Sequence, residues 1–466
     1  MTTREFSVQA TTELASARGW RELWRKEDWW AIWAGLGLVI AGYILFINGS
    51  SLKWIAVTPP KWSTSAELAA HFSANGLRYA AQFALWLAIF GTALATLGYK
   101  LREFIPSYVF LYLCAVVIFT GGQWTEASRY NLEPPLIALV LGLLISNLVG
   151  LPRWMDAAFR VEFYVKIGII LLGATLPFTL IMWAGPIAIV QASIVSVVTF
   201  LVIFNVARRL GLDRRLAATL GAGGAVCGVS ASIAIAGAVG AKKGDAPIAI
   251  TVVIIWAIVM IFALPFASQL LHLPTGVAGA WIGTSEFADA AGFAAAQTYG
   301  GFAGHVPGIE GTADQAVWSF TLMKIVGRDV WIGIWAFVLA IVSTTRWEPT
   351  ESGRKPEAAE IWWRFPKFVI GFVLASLLIT WAARDYSLTD YSKVLAPVLS
   401  DPIKNLRSWA FIFCYFSIGL TTRFRELAHA GRKPFLAFSA GVAVNVLLGF
   451  LLSAYVFVVH WSNLTR

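Results

Sequence analysis

Long apolar stretches separated by short polar loops dominate this chain. About thirteen of them stand out, each near the twenty residues that an α-helix needs to cross ~30 Å of hydrocarbon. They cover positions 29–47, 79–98, 106–121, 135–151, 164–183, 186–205, 216–239, 246–271, 276–299, 317–343, 366–383, 409–420 and 434–459. The pattern predicts an all-α polytopic membrane protein.

Composition supports this prediction and narrows the partners. The chain is 58% hydrophobic and 13% charged, about half the charged fraction of a soluble domain. The net charge of +10 comes from basic residues in short loops, which favours a lipid bilayer as partner and argues against nucleic acid. Cys114, Cys227 and Cys414 lack metal-ligand spacing, so we expect no metal, cofactor or catalytic constellation.

The loops divide the chain and orient it. We expect a cytoplasmic amphipathic tail at 1–28, with a disordered basic leader as the alternative. Additional transmembrane helices at 29–122 and an inverted-repeat transporter domain at 123–466 would follow. If every segment spans, the main basic clusters fall on one side of a cell inner membrane, with a cytoplasmic N-terminus. Lys242 and Lys243 alone would lie outside. Re-entrant folding of both 216–239 and 276–299 would bring them inside, so both segments span or neither does.

Two stretches echo each other at one constant offset. LLGATLPFTLIMWAG begins at position 171 and SIGLTTRFRELAHAG at position 417, and five residues match. If every segment spans, the two stretches are an odd number of spans apart, so equivalent helices would point in opposite directions. Inverted repeats of this kind are typical of secondary transporters.

A Gly-rich polar break interrupts the apolar segment 216–239. Four glycines between positions 221 and 228 precede two serines, and each glycine weakens a helix by about 1 kcal/mol relative to alanine. Unwound backbone at membrane depth must be buried in protein or line a cavity, and half-helix N-termini bind anions. The candidate substrate-binding residues are Gly224, Cys227, Gly228, Ser230 and Ser232. Close helix packing through small residues is the alternative.

A second break adds acidic residues in the segment 276–299. Gly283, Thr284 and Ser285 precede Glu286 and Asp289. We expect the first three to bind substrate, Ser285 to cap a half-helix, and the two acids to share a face and couple ions. Solvation of both acids at the membrane interface is the alternative.

Basic residues interrupt the apolar run 317–343. Lys324 and Arg328, at i and i+4, project the same way, and Asp329 follows. The two cations are candidate substrate ligands, because a guanidinium makes bidentate contacts with anions. A structural ion pair to Glu286 or Asp289 is the alternative.

These pieces together resemble the YeiH-like sulfate exporter family. The likeness is carried by PLIALVLGLLISNLVG, KIGIILLGATL, LGLDRRLAATLGAGGAVCGVSASIAIAGAV, GAWIGTSEFADAAG and SIGLTTRFREL, from position 135 to the C-terminus. The resemblance implies an elevator-type anion carrier with core and panel domains and two spanning, broken helices that cross at 227–232 and 283–286. This chain has Glu286 and Phe287 where the family tends to have His-Glu, which puts a His-dependent coupling step in doubt.

The sequence therefore favours a secondary active transporter of a small anion. Sulfate, an organic sulfonate or a carboxylate would be exported or exchanged, with coupling to H⁺ or Na⁺. A passive anion channel fits the breaks equally well, and a membrane-embedded enzyme is the third hypothesis. A homodimer is compatible with all three.

Overall fold

A computed structural model describes residues 22–127, 133–242, 244–347, 366–386, 390–427 and 431–464. The described residues form helices and no strand. The predicted tail helix before position 22, and Lys243, lie outside them. Seven described helices are long and apolar enough to cross a membrane, and three shorter apolar helices accompany them. The prediction of an all-α polytopic membrane protein is confirmed.

The main helices are numbered here in chain order. They are α1 Glu27–Ile47, α2 Ser65–Thr96, α3 Leu101–Gly122, α4 Pro134–Leu144, α5 Val161–Gly173, α6 Phe178–Arg209, α7 Arg214–Ala225, α8 Val229–Ala238, α9 Asp245–Leu270, α10 Thr275–Ser285, α11 Asp289–Gly301, α12 Ala313–Thr321, α13 Trp331–Arg346, α14 Phe368–Ala383, α15 Asp401–Thr421 and α16 Arg432–Leu451. Between α12 and α13 lies the π-helix Leu322–Arg328. Shorter helical turns are Glu22–Arg25, Leu52–Trp54, Ile145–Val149, Arg153–Ala158, Tyr391–Ser400, Phe424–Leu427, Leu452–Val456 and Val458–Ser462.

One compact unit comprises Ala17–Ile181 and Lys367–Arg423. In it, α5 packs against α15 in the antiparallel sense. A Cβ on Gly168 would lie 2.3 Å from the Phe411 ring, and just beyond the end of α5 the Arg407 guanidinium donates to Thr175 Oγ1 at 2.7 Å. Residue numbers rise along α5 as they fall along α15. The two echoing stretches therefore begin in antiparallel helices, as an inverted repeat requires.

The same unit joins α4 to α15 by close backbone contact. A Cβ on Gly142 would lie 2.7 Å from the Phe416 carbonyl oxygen and 2.8 Å from the Gly419 Cα. Just beyond, the Asn147 amide donates to the Thr422 carbonyl at 2.9 Å. Small residues let two helices approach in this way, and a buried amide then bonds the neighbour.

Half-buried ion pairs hold the start of α1 in this unit. Lys166 of α5 contacts Asp28 at 2.8 Å and Glu27 at 3.4 Å. Arg160 contacts Glu27 at 3.1 Å and also donates to the Tyr99 hydroxyl. Because each charge has an opposite partner, the cost of desolvating the group is offset.

The second unit comprises Met182–Pro366 and Phe424–Arg466, and α7 and α8 form a helical hairpin within it. Arg215, at the start of α7, donates to the Gly240 carbonyl just after α8, at 2.9 Å and 25 residues away in sequence. In one continuous helix these residues would be about 37 Å apart. The chain therefore turns back on itself between α7 and α8.

A second hairpin of the same kind is formed by α10 and α11. The Tyr299 hydroxyl near the end of α11 donates to the Leu273 carbonyl just before α10, at 2.5 Å. It also contacts the Ser268 carbonyl near the end of α9, at 3.2 Å. The base of this hairpin therefore lies at the C-terminal end of α9.

The expectation that both broken segments span is wrong, because each is a re-entrant hairpin. The distribution of basic residues left open whether both segments span or both are re-entrant. The two hairpins show that both are re-entrant. Lys242 lies at the base of the first hairpin, with its backbone N–H on Asp245 Oδ2 at 3.0 Å, at the same end as Arg215. This placement agrees with the distribution of basic loops.

Replacing Gly142 by alanine is expected to lower the free energy of unfolding by about 1–3 kcal/mol, because the new methyl group meets backbone atoms that cannot swing away. Gly37→Ala in α1 is the matched control, since nothing lies within 4 Å of its Cβ position; it should be neutral or stabilising by up to about 1 kcal/mol. Tryptophan-fluorescence melts in detergent measure both. Equal melting temperatures for the two variants would contradict the close contact.

Candidate functional site

The two hairpin tips meet inside the second unit. Gly228 in the first tip has φ +70°, and a Cβ there would lie 2.3 Å from the Phe287 carbonyl oxygen of the second tip. The same Cβ would lie 2.5 Å from Val253 of α9. Only glycine combines this backbone conformation with such an approach. The predicted break at Cys227 and Gly228 is present, since α7 ends at Ala225 and α8 begins at Val229.

Arg328 connects the C-terminal ends of the first half-helices in both hairpins. Its Nη2 donates to the Gly224 carbonyl at 3.0 Å. Its Nη1 contacts the carbonyls of Gly283, Thr284 and Glu286 at 3.4, 2.5 and 3.1 Å. Carbonyls at a helix end have no intrahelical donor and carry partial negative charge. A buried guanidinium thus satisfies both helix ends at once.

Lys324 makes a parallel connection one turn earlier in the π-helix. Its ammonium donates to the Val226 carbonyl at 3.1 Å and to the Glu286 carbonyl at 2.8 Å. It also lies 3.6 Å from Asp289 Oδ1. Both Lys324 and Arg328 are fully buried.

These contacts change the predicted role of the two cations. Lys324 and Arg328 were expected to bind a substrate anion, but their donors point at backbone carbonyls of the two tips. The alternative of an ion pair is correct for Lys324 and Asp289. Gly224, Gly283 and Thr284 enter the site through their carbonyls, and Arg328 collects all three.

The second half-helix of the second hairpin begins beside a carboxylate. Glu286 Oε1 accepts the backbone N–H groups of Phe287 and Ala288 at 2.9 and 3.2 Å. Ser285 ends α10, and no half-helix starts there, so its predicted capping role is wrong. Glu286 has extended backbone angles outside both helices, which removes the expected helical face shared with Asp289. The other oxygen, Oε2, is buried without a hydrogen-bond partner among the described residues.

The second half-helix of the first hairpin begins without a side-chain cap. Gly228 occupies its N-cap position, and Val229 and Ser230 are half-buried. One turn on, the Ser232 hydroxyl is fully buried and makes no hydrogen bond within the described part of the chain. A helix start in this state presents free N–H donors and partial positive charge.

Exposure divides the site into two sides. In the first tip Gly224 through Gly228 are buried while Val229 and Ser230 are half-buried; in the second, Glu286 is buried while Ala288 and Asp289 are half-buried. The C-terminal ends of α7 and α10 are therefore buried around the two cations. The N-terminal starts of α8 and α11 are partly exposed.

Five ionisable groups belong to this site, four of them buried and one, Asp289, half-buried. Lys324 and Arg328 carry positive charge, and Glu286, Asp289 and Asp329 are the carboxyl groups near them. All five were visible in the sequence as charges within apolar runs. The carbonyls of Val226 and Glu286 were missed as site atoms, because a backbone oxygen leaves no side-chain signal.

Replacing Arg328 by alanine is expected to lower the free energy of unfolding by about 3–5 kcal/mol, because four buried backbone carbonyls lose a charged donor. Arg328→Lys should fall between, since an ammonium reaches fewer of the carbonyls. Arg384→Ala, whose side chain is 57% exposed, is the control and should change stability by less than about 0.5 kcal/mol. Thermal unfolding in detergent measures the series, and equal values for Arg328→Ala and Arg384→Ala would contradict the assigned role.

Comparison with known proteins identifies the family. A family model described as "Conserved hypothetical protein 698" matches residues 106–438. A UPF0324 membrane protein of Nitratidesulfovibrio vulgaris is 30% identical over 382 residues, which are 81% of this chain and 63% of that relative. A UPF0324 membrane protein of Rhodopirellula baltica is 30% identical over 419 residues, or 89% and 74% of the two chains.

A third relative, the UPF0324 membrane protein of Nitrosomonas europaea, is 28% identical over 453 residues and covers 88% of this chain and 91% of its own length. No solved structure matches. The names of these relatives describe membrane proteins and give no substrate, so the sulfate exporter likeness stays a prediction. With the family model covering most of the chain, this multi-pass membrane protein belongs to the UPF0324 family.

Proposed function

We propose that this membrane protein is a secondary active transporter of a small anion. The cargo is sulfate, an organic sulfonate or a carboxylate, and the membrane is the cell's inner membrane with the N-terminus in the cytoplasm. The anion binds on the partly open side of the hairpin tips. Val229 and Ser230 supply backbone N–H groups there, and the Ser230 and Ser232 hydroxyls lie on the first turn of α8.

One observation carries the proposal. Where the two tips meet, the helix ends with partial negative charge are buried against cations, while a helix start with partial positive charge is left partly exposed. Lys324 and Arg328 bind the helix ends that carry partial negative charge. The uncapped start of α8, which carries partial positive charge, is left half-buried. Irregular backbone at membrane depth is tolerated where it lines a cavity, and half-helix N-termini in transporters face anionic groups.

The charge balance favours binding of a proton to the site together with the anion. Three carboxyl groups, on Glu286, Asp289 and Asp329, face two cations. With all five groups ionised the cluster repels an anion, and one bound proton removes that excess. Asp289 has the Lys324 ammonium 3.6 Å away as a counter-charge, whereas the fully buried Glu286 carboxyl has no cation within ion-pair distance among the described residues. We therefore assign the proton to Glu286.

Two rival functions differ in what they require. A passive anion channel would use the same helix starts but conduct down the gradient alone. A membrane-embedded enzyme would need a nucleophile with a base in reach, and Cys227 is the thiol at the tip. The crossing of two hairpin tips on buried charges, which are costly at membrane depth, favours a coupled carrier over both.

Flux in proteoliposomes tests the function. We expect labelled sulfate, or a competing sulfonate or carboxylate, to accumulate on the side toward which protons flow when a pH gradient is imposed. Accumulation on the opposite side would mean exchange of anion for proton. Flux that never exceeds equilibration, with or without the gradient, would show a channel and contradict the carrier.

Replacing Glu286 by glutamine is expected to abolish the accumulation driven by a pH gradient while anion-for-anion exchange across the membrane continues. Glutamine keeps the acceptor oxygen for Phe287 and Ala288 but takes up no proton. Asp289→Asn is the comparison variant; it removes the partner of Lys324 and should reduce both modes. Full proton-driven accumulation by Glu286→Gln would exclude Glu286 as the coupling group.

A further inference from the structure

The Lys324 ammonium lies in a shell of oxygen atoms supplied by both hairpin tips. The Val226 carbonyl is 3.1 Å away, the Glu286 carbonyl 2.8 Å, and Asp289 Oδ1 3.6 Å. The ammonium donates hydrogen bonds to the two carbonyls, and its positive charge faces the Asp289 carboxylate at ion-pair distance. The Lys324 side chain is fully buried, whereas Asp289 is half-buried.

This shell is also what a bare monovalent cation needs. Hard cations prefer oxygen ligands, and backbone carbonyls with a carboxylate are such ligands. The C-terminal ends of half-helices add partial negative charge, and in transporters unwound carbonyls of this kind hold the coupling cation. In this chain a side chain from the π-helix Leu322–Arg328 delivers the charge instead.

We propose that Lys324 is a tethered cation that permanently fills a monovalent cation site between the two hairpin tips. Removing the side chain uncovers the site, and a free ammonium or alkali cation then binds there. The consequence for coupling rests on the proposed function: transport runs without Na⁺. The binding claim itself stands whether or not the protein carries anions.

Arg328 differs from Lys324 in a way that supplies a control. Its guanidinium spreads over four carbonyls, with Nη2 on Gly224 and Nη1 on the second tip. Among the described residues no carboxylate oxygen lies within ion-pair distance of Arg328, whereas Lys324 has Asp289. Without a carboxylate to balance the charge of a small ion, the carbonyls that Arg328→Ala leaves behind are not expected to hold one.

The experiment measures the melting temperature of the full chain in detergent while ammonium, methylammonium, Na⁺ or K⁺ chloride is titrated in. Choline chloride holds the ionic strength constant and is too large for the site. We expect Lys324→Ala to melt below wild type, and its melting temperature to rise saturably by about 1–2 °C at roughly tenfold excess over the dissociation constant. Wild type, Arg328→Ala and the space-filling Lys324→Met should show no saturable response.

Each arm is decisive on its own. Saturable stabilisation of the wild type by Na⁺ would overturn the proposal, even where Lys324→Ala cannot be purified. An equal response of Lys324→Ala to choline would overturn it as well. In proteoliposomes, anion flux that requires Na⁺ would contradict the proposal of a tethered cation but would still support an anion carrier. Absence of anion flux would have the reverse effect, since the melting result does not depend on the cargo.

Discussion

Two buried cations on backbone carbonyls are the interaction on which the second unit depends. A re-entrant hairpin ends its first half-helix inside the protein, where the last carbonyls have no water to bond. Arg328 and Lys324 serve the carbonyls of both hairpins from one π-helix. Without them, each tip would bury unsatisfied acceptors, and the two tips would lose their common attachment.

The π-helix Leu322–Arg328 has a clear purpose in this arrangement. Insertions of this kind occur at functional sites because they re-aim side chains. Here both cations reach the same carbonyl, that of Glu286, while each also reaches a different carbonyl of the first tip. The two acidic residues differ in their contacts. Asp289 faces the Lys324 ammonium, whereas the Glu286 carboxylate accepts backbone N–H groups of the residues that follow it.

Much of this fold was predictable from the sequence, and the missing part has a physical cause. Apolar length predicted the helices, and glycine content located the first break at Cys227 and Gly228. Whether a broken helix continues or turns back depends on a few torsions, such as ψ −114° at Val226 and φ +70° at Gly228. Only the misplaced pair Lys242 and Lys243 hinted at the turn. The cations were found as residues, but their carbonyl partners carry no signature in the sequence.

Helix α9 acts as a strut between the two hairpins. The base of the first hairpin adjoins its start at Asp245 and the base of the second adjoins its end near Ser268. This helix has 26 residues and is about 39 Å long, and its length sets the separation of the two bases. Moving the two tips apart while the bases stay in place therefore requires one of the hairpin helices to bend.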